Sequence, residues 1–134
     1  MEKTLVIKKS DLETITNILE RLTPESNTIH IQKLKVELGK ADIVDDEVID
    51  NSVIQLQSTF MMKEKSSSLQ VSYQLVLPKE ADLKEKKISI LSPLGVAVIG
   101  YRVGSEINWV FPGGEKQITI LEVKQAARVN KDWS

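Results

Sequence analysis

The apolar residues of this chain change period once, near its middle, and that change limits the folds open to it. From Leu12 to Ala41 they recur at three- and four-residue steps: Leu12, Ile15, Ile18, Leu19 and Leu22, then Ile31, Leu34, Leu38 and Ala41. Each set is one stripe of a helix. From Ile54 the step falls to two, through Ile54, Leu56, Phe60 and Met62 and then Leu69, Val71, Tyr73, Leu75 and Leu77, which is the pattern of strands with one buried face. Helices segregated before strands predict an α+β chain.

The first stripe has a capping-box spacing at its head, Ser10 to Glu13, and ends at Pro24, which predicts a helix starting at Ser10. The second follows possible caps Asn27 or Thr28. So few residues separate the two that they are expected to pair as an antiparallel hairpin. Helices of about 14 residues, at 1.5 Å per residue, make that arm only about 20 Å long. Stripes of four or five apolar residues should be nearly used up in pairing the two helices.

Five acids fall between Asp42 and Asp50. A calcium loop would need a central glycine and alternating ligands, which this stretch lacks, so it is expected to be an acidic hinge. After the two strand patterns, Pro78 and the charged run to Lys87 form a solvated loop. Ile88 and Ile90 then open a segment punctuated by Ser-Pro, Gly100, Gly104 and Pro112-Gly113-Gly114. Ser92 can cap a short helix with Pro93 in its first turn, and the small apolar run Pro93 to Ile99 predicts burial. Gly100 ends that helix. Ile107, Trp109 and Phe111 alternate with polar or smaller residues, Pro112-Gly113-Gly114 turns the chain, and the run from Lys116 to Val123 returns as the last strand. About five antiparallel strands with one inserted helix result. The expected organisation is an arm at 1–42, a hinge at 43–52 and a sheet domain at 53–134.

A net charge of −1 hides an imbalance. Residues 1–50 carry 7 Lys/Arg against 11 Asp/Glu, and the remainder 11 against 8. An acidic N-terminal part disfavours direct wrapping of nucleic acid, which needs clustered cations, and favours a protein partner. With no cysteine there is no thiolate metal site, disulfide or cysteine nucleophile. No apolar run is long enough to span a bilayer and no signal-peptide pattern opens the chain, so a cytoplasmic location without membrane contact is expected. The single histidine, His30, has no second ligand or nucleophile beside it and is expected at the surface or its boundary. No phosphate-binding Gly-Lys-Ser/Thr loop is present. No catalytic group, metal site or cofactor is expected, and the chain does not read as an enzyme.

From Ser92 to Gly114 the sequence resembles the C-terminal domain of the bacterial Gre transcript-cleavage factors. The matching residues are Ser92, Pro93, Leu94, Gly100, Val103, Gly104, Pro112 and Gly114, with Ser105 where the pattern commonly has Asp. It is similar over nearly its whole length to one branch, the regulator of nucleoside diphosphate kinase (Rnk) type, through Glu37-Leu38 to Ala41, Asn51-Ser52, and Pro93 to Gly114 with Arg102, Ile107 and Trp109.

The resemblance implies an FKBP-like antiparallel sheet domain that docks on RNA polymerase near its secondary channel, and an N-terminal coiled-coil arm. It places the polymerase-facing surface at Ser92, Pro93, Leu94 and Gly95, with Pro112 and Gly113, and any contact with DNA is then indirect, through polymerase. In full-length Gre factors acidic residues at the arm tip hold the magnesium that hydrolyses the transcript. Here the tip, residues 23–27, offers Glu25 alone, on a shorter arm, and transcript cleavage is not expected. Nor is prolyl isomerase activity, because alternation assigns Phe60, Tyr73, Trp109 and Phe111 to the core and fold alone supplies no function. Trp109 is a core anchor by that alternation, with an interface role the alternative, and Trp133 lies on an aperiodic tail. The competing reading is a Gre-like interaction module with a different protein partner.

Overall fold

The computed structural model describes residues 5–26, 28–111 and 114–126. Strand β1, Val6–Lys8, runs directly into helix α1, Lys9–Glu20; a single 3-10 turn at Pro24–Ser26 leads to helix α2, Ile29–Lys40, and then strand β2, Asp42–Val44. Strands β3, Thr59–Glu64, and β4, Gln70–Val76, are followed by two 3-10 turns and strand β5, Lys87–Ser89. Helix α3, Pro93–Val98, precedes strands β6, Glu106–Phe111, and β7, Gly114–Lys124.

The start of α1 differs from expectation. It begins before Ser10, with Lys8 in the capping position and no side-chain cap, so the Ser10–Glu13 box is not formed. Carboxylates 35 or more residues away serve that terminus instead. Asp46 accepts from the Ser10 amide at 3.1 Å, and Asp45 pairs with Lys9 at 2.7 Å. Anions there answer both the unpaired amides and the positive end of the helix dipole. α2 begins as its sequence suggests, with the Thr28 hydroxyl accepting from the Ile31 amide at 3.3 Å; Asn27 lies outside the described residues.

β1 and β2 pair in parallel, Val6 opposite Asp42, and so join the chain entering α1 to the chain leaving α2. The helical stripes do not stay within the helical pair. Ile15 and Leu34 are fully buried, and with Ile7 and Leu38 they belong to the same core cluster as Phe60, Leu75, Ile99, Ile118 and Ile120 of the sheet region. Burial of this size, roughly 1.5–3 kcal/mol per large aliphatic side chain, couples the helices to the sheet.

The main sheet has the order β5-β4-β3-β7-β6. Its neighbours are antiparallel except β4 and β5, which run parallel, correcting the expectation of an all-antiparallel sheet. The two 3-10 turns between them, Pro78–Glu80 and Leu83–Glu85, carry the chain back so that it restarts in the same direction. Phe60 stands opposite Tyr73 with ring centroids 6.3 Å apart.

Two strand limits also move. Residues 54–58 form a compact loop rather than strand: Gln57 has φ +74°, Ser58 Oγ accepts from the Gln55 amide, and Ile54 is buried all the same. Leu69, placed on the buried face by alternation, is 77% exposed ahead of β4. The side chains of Trp109 and Phe111, and all of Trp133, fall outside the described residues.

α3 lies flush against the end of β5 because residue 95 is glycine. A Cβ there would overlap the Ser89 carbonyl oxygen, which already accepts from both the amide and the hydroxyl of Ser92. Backbone must move to admit it. Gly95→Ala is therefore expected to lower unfolding free energy in a urea titration by about 1–3 kcal/mol, whereas Gly39→Ala, with nothing within 4 Å of its Cβ, should raise it by about 0.5–1 kcal/mol. Equal effects at the two sites would contradict this packing.

Candidate protein-docking site

Ser92, Pro93, Leu94 and Gly95 form the first turn of α3. The Ser92 hydroxyl donates to Ser89 O at 2.7 Å and accepts from the Gly95 amide at 3.0 Å, so it is spent on the cap. Leu94 and Gly95 are buried, Leu94 within the core cluster. These two cannot present side-chain surface to a partner, and the half-exposed Ser92 and Pro93 are what this turn offers. Pro112 and Gly113 lie outside the described residues.

Glu25 sits in the exposed 3-10 turn between α1 and α2, and a hydrogen bond from its own backbone amide, then one from Thr23, holds its carboxyl below the usual range. It is one carboxylate on a turn. Among the described residues no three histidine, cysteine, aspartate or glutamate side chains are grouped to hold a metal, and no helix is long and apolar enough to cross a membrane. His30 is half-buried in the first turn of α2.

Two arrangements were not foreseen from the sequence. The first is the joint between helices and sheet, where buried Asp11 accepts from the Leu56 amide at 3.0 Å and lies 3.9 Å from Lys8 Nζ. Burial pushes the Asp11 carboxyl above its ordinary value, against the opposing pull of the Leu56 amide and Lys8. The second is a cleft of about 280 Å³ where α2, α3 and β6 meet, with Leu5, Val96, Ala97 and Ile107 as apolar wall and Lys33, Glu37, Tyr101 and Glu106 among its polar lining. Burial, then Glu37, raises the Tyr101 phenol, which therefore stays protonated. An acid at the head of a helix stripe and an edge strand beginning with Glu were visible in the sequence, but nothing local indicated their partners.

Residues 49–125 match the family described as "Transcription elongation factor, GreA/GreB, C-term", which is more than half of the chain. The chain belongs to the GreA/GreB family. It is 35% identical over 98 residues to the transcription elongation factor GreA of Rhodopseudomonas palustris, which spans 73% of this chain and 62% of that protein. The GreA of Syntrophobacter fumaroxidans is 37% identical over 94 residues, 70% of this chain and 60% of its own. The chain thus spans about three fifths of the length of these curated relatives. Among solved structures, a prokaryotic transcription elongation factor GreA/GreB from Nitrosomonas europaea superimposes with a TM-score of 0.76 at 35% identity, covering 92% of this chain and 99% of that one. The match therefore includes the helical region as well as the sheet.

The joint makes a pH-dependent prediction. A carboxyl whose folded pKa is raised stabilises the fold most below its ordinary value of 3.8, and that contribution is lost as pH rises through the folded value. Asp11→Asn, which keeps an acceptor for the Leu56 amide without the charge, should gain on the wild type in urea-denaturation stability between pH 4 and pH 7. Asp11→Ala leaves the amide unpaired and should cost about 1–3 kcal/mol at pH 7. A wild type that instead gains on Asp11→Asn as pH rises would mean that Lys8 and Leu56 outweigh burial.

Proposed function

We propose that this GreA/GreB-family chain is an RNA polymerase-binding transcription regulator of the Rnk type, which docks near the secondary channel through its sheet domain and does not cleave transcripts. The observation that carries the reading is the family match over residues 49–125 together with a likeness that covers 92% of this chain and 99% of a GreA/GreB protein. On this reading residues 53–134 form the docking domain, an FKBP-like sheet, and residues 1–42 the arm, with 43–52 between them. Location is cytoplasmic, and DNA is reached only through the polymerase.

The dimensions support the absence of cleavage. α1 and α2 are 12 residues each, about 18 Å at 1.5 Å per residue. Metal-assisted hydrolysis needs carboxylates held close together beside the ion; the turn joining these helices brings Glu25 alone. A short arm with one carboxylate can occupy a channel entrance without supplying that chemistry.

Of the residues matched to the docking turn, Ser92 and Pro93 reach the surface. The test is binding of the full-length protein to its cognate core RNA polymerase, with Pro93→Asp beside it and folding checked by circular dichroism. Aspartate is acceptable in the first turn of a helix. Binding at about micromolar affinity or tighter, weakened about tenfold or more in the folded variant, is expected, with no transcript shortening when the protein and magnesium are added to a stalled elongation complex. Absence of wild-type binding would remove polymerase as the partner and leave the interaction-module reading; transcript shortening would overturn the non-cleaving assignment.

A further inference from the structure

Among the described residues strand β6 is an edge of the main sheet, paired with β7 on one side only. Among the described residues no backbone hydrogen bond outside the β6–β7 ladder reaches residues 106–111. Edge strands are usually protected by lysine, proline or a bulge. The β6 sequence, Glu-Ile-Asn-Trp-Val-Phe, contains neither residue, and its register against β7 runs without a shift.

This edge borders the cleft where α2 and α3 come alongside it. The cleft's volume, about 280 Å³, falls just below the roughly 300–1,000 Å³ typical of small-molecule sites. It suits one or two side chains of a polypeptide. Its charge is specific too: among the described residues, Glu37 and Glu106 line it against a single cation, Lys33. Glu106 accepts from Gln117 at 3.2 Å, whereas the side chain of half-buried Glu37 has no hydrogen bond or ion pair among the described residues and acts on the Tyr101 phenol through its charge.

We infer that the cleft is a β-augmentation site: an extended segment of a protein partner adds a sixth strand along β6 and places a lysine or arginine side chain beside Glu37 and Glu106. Main-chain hydrogen bonds supply affinity in this mode and alternate side chains supply specificity. The apolar wall of Val96, Ala97 and Ile107 takes the aliphatic stem of the cation or the apolar residue two positions away. A second copy of this chain is a poorer occupant, because its β6 would bring another glutamate and no basic residue to meet Glu37. The inference does not rest on polymerase binding, since cleft and edge are defined by α2, β6 and the second half of α3.

The probe is a synthetic peptide, acetyl-Thr-Val-Arg-Val-Thr-Val-amide, with a twin in which glutamate replaces arginine, each titrated into the full-length isotope-labelled protein and followed through its backbone amide resonances. Saturable shifts centred on β6 and the facing residues of α2 and α3 are expected, with the arginine peptide favoured by about tenfold or more. Glu37→Gln should abolish that preference with the fold intact, and Ala97→Phe, which fills the cleft, should weaken both peptides. No saturation at millimolar peptide, equal affinity for the twins, or self-association through β6 in place of peptide binding would each overturn the assignment.

Discussion

The arrangement of helices against sheet depends on a close backbone crossing at Gly100. Its amide donates to Ile54 O at 3.0 Å and its carbonyl accepts from the Val6 amide at 3.2 Å, so one residue ties β1 to the 53–58 loop and to the end of α3. Its φ is +83°, and a Cβ there would approach Leu5 Cβ to 3.0 Å and Val6 O to 3.3 Å. Only glycine meets both the left-handed backbone and the approach without strain. From this crossing the rest follows: β1 is fixed, β2 pairs with it, and the roots of α1 and α2 are set against the main sheet.

With its root fixed, α1 begins where the acidic segment can serve it. Lys9, the Ser10 amide and Asp11 face three different partners, Asp45, Asp46 and the Leu56 amide. The exposed ion pair adds little in water. Asp11 matters more, because it is buried and satisfies a backbone amide that would otherwise have no acceptor in that loop. The stretch from Asp42 to Asp50 is thus, at its first half, a structural partner of the helix start; its acids are near α1 because the parallel β1–β2 pair brings them there.

What the sequence made legible was local. The stripe of Ile31, Leu34 and Leu38, the Thr28 and Ser92 caps, and the antiparallel return of β7 beside β6 all follow from spacings within a few residues. What it hid was distant. The Ser10–Glu13 spacing points to a capping box because nothing nearby reveals a carboxylate 36 residues away. Alternation places Ile54 in a strand because a buried loop residue and a buried strand residue have the same hydropathy. Leu69 fell on the right phase of an alternation, but β4 starts only after it. Leu94 and Gly95 matched a family motif whose residues, in this fold, divide between surface and core, a distinction that no motif carries. The cleft brings together α2, α3 and β6, and no linear pattern joins residues 37, 101 and 106.

The division within α3 bears on how one short helix can serve two surfaces. It is six residues long, too short to be stable by itself, and it stands because its cap is complete and Gly95 lets it lie against β5. Ser92 and Pro93 face solvent at its start, while Val96 and Ala97 wall the cleft in its second turn. With Leu94 and Val98 buried between them, the helix has no room to shift as a unit. On the proposed docking at the Ser-Pro turn and the inferred strand addition at the β6 edge, each partner therefore meets a preformed surface. Little ordering cost is incurred at either one, so their affinities should be set by the contacts themselves and, with no bistable element between them, should be independent of each other.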